Sequence, residues 1–335
     1  MPTLAAKIAP QRSAQYAALA SALAEPELRL SPLAPLIDTI RPTTLAGQAY
    51  LLLDLTAEPD EAQQRALWQL GATSEFYWYF ERLGTEAGPF LKPCQPAFDP
   101  FFPPELVEAR RYRGKTNELF TTVILNLARW SRPPEASTGH LRVLDPLMGG
   151  GTTLFVALRQ GHDAVGIEKE RQDVESTDVF LRKFLEAERI KHHRKAERVS
   201  GVSGRRWLCT IQRGTRQLHV VLINGDTRLA PVLMANIPGG ALADLIVADL
   251  PYGVQHQVHL HDLLRASLPA WAAVAQPETV LALSWDATRL PRATMIAWIE
   301  EGGDWQVLTG GVYDTLAHPV DRVIKRRDLV IARHP

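Results

Sequence analysis

The stretch VLDPLMGGGTTLFVAL, residues 143–158, decides how this chain is to be read. Apolar residues 141–144 form a short strand, three glycines make a turn, and 152–160 reads as a helix. A strand that enters a helix through glycines is the arrangement that binds nucleotides in open α/β sheets. Glycine suits it because the backbone must pass close to a ligand and can take positive φ. The pattern is not a dinucleotide fingerprint, since Leu154 stands where the third glycine would be. Nor is it a P-loop, since no GK[ST] closes it.

Outward from this loop the same rhythm continues. Strands are expected at 164–167, 219–223, 244–248 and 280–284, with helices at 172–188, 263–275 and 293–300. Upstream, KTNELFTTVILNLARW from Lys115 onward has apolar residues at helical spacing. This alternation predicts a parallel, Rossmann-like α/β sheet with helices on both faces. Residues 305–310 and 328–333 suit an antiparallel edge. Acids stand at successive strand ends: Asp145, Glu168 and Asp226. Glu168 can accept both hydroxyl hydrogens of a ribose, and Asp226 or its backbone can address an adenine amino group. Each alone could be a helix cap or a solvated loop carboxylate; three in register argue for a ligand.

Asp145-Pro146 followed by Gly149-Gly150-Gly151-Thr152-Thr153 resembles the D-P-x-x-G-x-G-T-T loop of the S-adenosylmethionine (SAM)-dependent amino-methyltransferases of nucleic acids. The resemblance implies that Gly149, Gly151 and Thr152 belong to a loop cradling the methionine end of SAM and that Glu168 holds its ribose. It also implies that the helix beginning Lys115-Thr116-Asn117 lines the carboxylate end, so Thr116 and Asn117 join the cofactor set. The fold implied is a class I SAM-dependent methyltransferase sheet.

A second motif lies farther along, in DLIVADLPYGVQH. A buried apolar strand ends in Asp249-Leu250-Pro251-Tyr252. A base amino nitrogen is a poor nucleophile because its lone pair is conjugated into the ring. If the Asp249 carboxylate and the Leu250 carbonyl accept its two N–H bonds, the nitrogen pyramidalises toward a methyl donor. Pro251 limits backbone drift, which favours near-attack placement, and Tyr252 can stack on a flipped base. The tetrapeptide resembles the (D/N/S)-P-P-(Y/F) motif of amino-methyltransferases, with Leu250 in the first proline position. The D-L-P-Y-G form resembles the THUMP-associated methylases that make N2-methylguanosine in tRNA. Asp at its head differs from the Asn of the N-P-P-Y protein-glutamine methyltransferases. The first hundred residues carry no THUMP pattern.

The rest of the chain bounds the reading. Its 335 residues exceed one ordinary domain. We therefore expect a small N-terminal α+β domain with a Pro-rich linker at 1–104 and the methyltransferase domain at 105–335. In the first part, a helix is expected around QYAALASALAEPEL and a strand at 50–55. A helix at 59–83 would carry the aromatics from Trp68 to Phe80 as core, followed by an extended linker at 89–104. Formal net charge is zero, so any polyanion site must be a local patch. One such patch is 182–216, where eleven Lys/Arg face Glu186, Glu188 and Glu197. Read as a helix-and-hairpin insert, it offers Lys191, Arg194, Lys195, Arg198, Arg205 and Arg206 to phosphates; the bland alternative is a solvated face. Cys94 and Cys209 form no CxxC pair, and no apolar run suggests a signal peptide or membrane span. A cytoplasmic protein is expected. The His256, His259 and His261 series has no obvious partner to complete a metal site. The function expected is SAM-dependent N-methylation of a base, guanine N2 in tRNA or other structured RNA, with RNA favoured over DNA and no obligate protein partner evident. The alternatives are methylation of adenine N6 or cytosine N4 in DNA, and a non-catalytic RNA-binding module.

Overall fold

The structure, a computed structural model, describes residues 1–11, 14–112, 114–251, 257–320 and 325–335. The chain divides into two compact units, Met1–Asp99 with Gly310–Arg326, and Pro100–Thr309 with Arg327–Pro335. The Gly310–Arg326 segment, expected in the second domain, therefore clusters with the first.

The first unit runs β1 (Thr3–Ile8), α1 (Ala14–Leu30), β2 (Ile37–Leu45), β3 (Gln48–Leu55), α2 (Glu61–Leu67), β4 (Thr73–Leu83), β5 (Glu86–Pro93). Its sheet is antiparallel in the order β2-β3-β1-β4-β5, a split β-α-β unit with β5 added as a hairpin. The expected helix over 59–83 is confined to α2, which Asp60 and Gln63 start with a capping box. The aromatic run is strand β4 instead. The buried Glu27 carboxylate of α1 accepts N–H bonds from Gly71 and Ala72 at 2.9–3.1 Å, which ends the helical path before Thr73. Phe76, Tyr77, Trp78 and Tyr79 then alternate across a pleated surface, the setting aromatics prefer. Part of the expected linker is β5, an edge strand whose prolines need not give up a ladder bond.

The second unit holds α3 (Glu105–Glu108), α4 (Glu118–Trp130), β6 (Arg142–Asp145), α5 (Thr152–Gln160), β7 (Asp163–Glu168) and α6 (Arg171–Ala187). There follow β8 (Lys191–Arg198), β9 (Arg205–Arg213), β10 (Arg216–Asn224), α7 (Ala230–Leu233), β11 (Ala243–Asp249) and α8 (Gln257–Ala272). Next come β12 (Ala275–Asp286), α9 (Arg292–Glu301), β13 (Gln306–Val307) and a final strand, Arg326–Arg333. The sheet order is β13, final strand, β12, β11, β6, β7, β10, β9, β8. From β12 to β10 all neighbours are parallel, and the outer strands on both sides are antiparallel. The expected doubly wound α/β sheet, with its antiparallel edge, is therefore the fold. Strands β6, β7 and β11 are buried along nearly their whole length, as a parallel sheet covered on both faces requires.

The chain leaves β6 for β7 and β10, then returns to β11 on the other side of β6. The winding thus reverses between β6 and β11, and ligands of such sheets sit at the carboxyl ends around that reversal. Asp145 closes β6, Glu168 closes β7 and Asp249 closes β11. The stretch 182–216 runs from the end of α6 through an antiparallel strand pair. Its strands β8 and β9 continue the main sheet past β10, and a Lys/Arg-rich edge strand discourages pairing with another chain. Among the described residues no helix is long and apolar enough to cross a membrane.

Candidate active site

The glycine turn is braced from two sides. Within it, Gly149 and Gly151 take φ of +48° and +84°, conformations that cost glycine little. The Met148 amide donates to Ile167 O at 3.0 Å, tying the turn to β7. A β-carbon on Gly150 would lie 2.3 Å from the Tyr112 ring, so this glycine is required by close approach. Tyr112 O–H and the Thr152 hydroxyl are 2.5 Å apart. The buried Arg110 guanidinium donates to Gly150 O at 2.6 Å and to Thr177 Oγ1 at 2.7 Å. Neither Arg110 nor Tyr112 was found from sequence. Their only signal was the Arg-Arg-Tyr-Arg run just ahead of the Lys115 segment.

Glu168 links the turn to the next strand end. Its Oε2 accepts from Gly149 N at 3.0 Å and its Oε1 from Glu170 N at 2.8 Å, which fixes the carboxylate while each oxygen keeps a lone pair. Asn224 Nδ2 and Gly225 N both donate to Glu168 O, locking the end of β10 beside it. Asp226 is already engaged. It caps a short 3-10 turn, accepting from Arg228 N at 3.0 Å, and pairs with the Arg228 side chain.

Asp145 is buried, and its Oδ1 accepts from Leu147 N at 3.0 Å. Burial pushes its carboxyl up to about 7; the Glu168 and Asp249 carboxylates add to the rise, and the Thr153 hydroxyl and Leu147 amide oppose it. The buried Pro146 follows it into the turn.

Asp249 meets Thr116, but not in the role expected for that residue. The Thr116 hydroxyl donates to Asp249 Oδ2 at 2.8 Å, while Asn117 caps α4 by accepting from Phe120 N at 3.1 Å. The helix thus begins at Glu118, with Lys115 turned to the Val107 and Arg110 carbonyls. Arg327 Nη2 lies 3.7 Å from Asp249 Oδ2. Asp249 Oδ1 is buried and has no hydrogen-bond partner among the described residues. Leu250 N donates to Ser284 O at 2.8 Å, Leu250 is buried in the core, and Pro251 is exposed. Tyr252 and His256 lie outside the described residues, and His261 packs on Trp298 at 4.7 Å between ring centroids.

Much of the basic segment serves the fold. Arg194 pairs with Asp178, Lys195 with Glu197 at 2.7 Å, and the buried Arg206 with Glu197 at 2.8 Å and the Ala235 carbonyl at 2.6 Å. Arg205 lies 5.2 Å over the Trp207 ring. Lys191 and Arg198 are exposed on the edge strand β8.

No family model and no curated protein matches this chain. Among solved structures, TrmN from Thermus thermophilus is similar at a TM-score of 0.47 and 14% identity, over 100% of both chains. The 16S rRNA N2 methyltransferase RsmC of Thermus thermophilus, in complex with AdoMet and guanosine, is similar at 0.38 and 18%, over 90% of this chain and 59% of that one. A TehB-like SAM-dependent methyltransferase from Corynebacterium glutamicum reaches 0.35 and 11%, over 60% and 84%. At these scores none of the three carries any part of the functional reading below.

Proposed function

We propose that the second unit is a SAM-dependent methyltransferase for the exocyclic amino group of a base, with guanine N2 of tRNA or another structured RNA as its substrate. The observation that carries this reading is Asp249: a carboxylate at the winding reversal, one oxygen held by Thr116, the other buried and unpartnered among the described residues. The adjacent residues fit the cofactor. Gly149 and Gly151 keep a turn that admits a ligand backbone-close, and Glu168 is held with lone pairs free for a ribose. The clustered Asp145, Glu168 and Asp249 carboxylates suit a cationic guest. SAM supplies the methyl group when bound.

The chain's own residues do the rest. Asp249 Oδ1 and the Leu250 carbonyl accept the two N–H bonds of the substrate, which draws the nitrogen lone pair out of conjugation. The Leu250 amide is already tied to Ser284 O, so its carbonyl direction is set before substrate arrives. The nitrogen gains the methyl group and sheds one proton, which the hydrogen-bonded carboxylate can take. Pro251 and Tyr252 would border the base. RNA is favoured over DNA because segment 182–216 is spent on edge strands and not on a separate target-reading region.

The test is methyl-labelled SAM offered to total tRNA, rRNA and genomic DNA, followed by nucleoside mass spectrometry. Label in N2-methylguanosine supports the proposal. Label in DNA alone would move the substrate to adenine N6 or cytosine N4, and tight RNA binding without label would leave a non-catalytic binding module.

A further inference from the structure

We propose that Thr116 and Arg327 are positioning residues for Asp249: the hydrogen bond from one and the nearby charge of the other hold one carboxylate oxygen and so aim the other at the substrate amino group. The inference rests on the reading of Asp249 given above. Three elements meet at this carboxylate. Thr116 precedes α4 and donates to Oδ2 at 2.8 Å. Arg327 comes from the final strand, paired in register with Asp286 of β12, and its guanidinium approaches the same Oδ2 at 3.7 Å. Asp249 itself is paired in register with Ser284 of β12, and the next amide, Leu250 N, is bonded to Ser284 O.

A carboxylate with both oxygens free turns about its Cβ–Cγ bond, so neither oxygen has a defined direction. Donors on one oxygen alone remove that freedom. Arg327 is itself held still: it is 6% exposed and its guanidinium lies 4.7 Å over the ring of Phe120, which is fully buried in the first turn of α4. That cation–π contact helps to hold the guanidinium beside Oδ2. Oδ1 is left buried, without a partner among the described residues. A buried acceptor in that condition is costly and is kept where a ligand completes it. As a carboxylate it can only accept, which suits a substrate amino group that can only donate. Arg327 is thus turned toward Asp249 and away from solvent.

The test uses the full chain in single-turnover transfer from saturating labelled SAM to the RNA fraction that the wild type methylates. Thr116→Val keeps the shape and removes the donor, and Arg327→Met keeps the length and removes the charge. Each should slow transfer about ten- to hundredfold with the KM for SAM within twofold. Thr116→Ser should recover most of the rate and Arg327→Lys part of it. In an Asp249→Ala background, followed by long incubation, neither change should lower the residual rate further, because both act through Asp249. If Arg327→Met fails to fold by thermal melt, the Thr116 pair and Arg327→Lys carry the test. Wild-type rates in Thr116→Val and Arg327→Met, or equal losses with and without Asp249, would overturn the inference while the methyltransferase reading stands. A wild type that methylates neither RNA nor DNA overturns both.

Discussion

The two edges of the parallel sheet carry the same residue types and treat them in opposite ways. At the amino edge, Asp163 and Asp244 are saturated. Asp163 takes Arg142 Nη2 at 2.7 Å, His140 Nε2 at 3.0 Å and the His219 amide at 2.7 Å. Burial alone would raise its carboxyl, but these partners outweigh burial and hold it below the usual range. Asp244 takes Arg132 Nη1 and the Arg142 amide, each at 2.7 Å, and the Gln276 side chain. At the carboxyl edge, Asp145 is pushed up to about 7 and Asp249 keeps a buried oxygen with no partner among the described residues. Carboxylates with several donors at one edge hold strands together; a carboxylate oxygen lacking a donor at the other is the usual mark of a site awaiting a ligand.

The sharpest contrast comes from breaking the saturated edge. Arg142→Met would take the buried Asp163 carboxylate's guanidinium partner away while keeping the backbone amide that bonds Asp244, costing about 3–5 kcal/mol of stability. Urea unfolding measures this, and SAM affinity of the surviving folded protein should be unchanged. A stability loss below about 1 kcal/mol would mean the amino-edge network is not structural.

Next is the pH response of the open edge. The Asp145 carboxyl is raised from its unfolded value to about 7, so the folded chain binds more protons between about pH 4 and 7. Stability from this group is therefore full at the acid end of that window and lost as pH rises through it, by roughly 2–4 kcal/mol. His140, raised chiefly by its bond to Asp163, pulls in the same direction. The comparison to make is therefore wild type against Asp145→Asn, whose stability should fall less steeply with pH. Parallel curves would show that Asp145 titrates normally.

A smaller effect is expected from Glu168→Ala, which removes an acceptor for ribose hydroxyls and frees the Gly149 amide. SAM affinity by calorimetry should drop about ten- to hundredfold, equivalent to about 1.5–3 kcal/mol. Smaller still is Leu250→Pro. The resemblance to the (D/N/S)-P-P-(Y/F) motif suggests that proline is tolerated here, yet the Leu250 amide is a donor to Ser284 O. The change should cost about 1–2 kcal/mol of stability, with transfer retained because the carbonyl survives. Loss of transfer in a folded Leu250→Pro protein would show that the Ser284 bond aims that carbonyl.

What the sequence could disclose follows the same division. Central parallel strands are buried on both faces, so they appear as unbroken apolar runs, and the glycines and acids that end them stand out. That is why β6, α5 and β7 were legible almost to the residue, together with the ends at Asp145, Glu168 and Asp249. The first unit was not, because a half-buried antiparallel strand such as β4 presents aromatics on both faces, and a helix start at Asp60 invited the helix to run on. Thr3–Ile8, lost in an alanine-rich stretch, shows the same weakness. Arg110, Tyr112 and Arg327 act over distances in the chain that no local pattern records. Arg327 gives no local sign of its place in the sequence, and it lies buried over the Phe120 ring. Arg194 and Arg206 were read as phosphate ligands from local composition, and their acidic partners were visible only in three dimensions.

The central claim is that the buried Oδ1 of Asp249 activates a base amino group for methyl transfer. Single-turnover transfer of labelled methyl from SAM to RNA, in wild type and Asp249→Ala, addresses it most directly, with SAM and RNA binding measured alongside. The account predicts a rate loss of about 10²–10³ in Asp249→Ala, with SAM and RNA affinities and the thermal melt close to wild type. An Asp249→Ala protein that transfers methyl at the wild-type rate would contradict it.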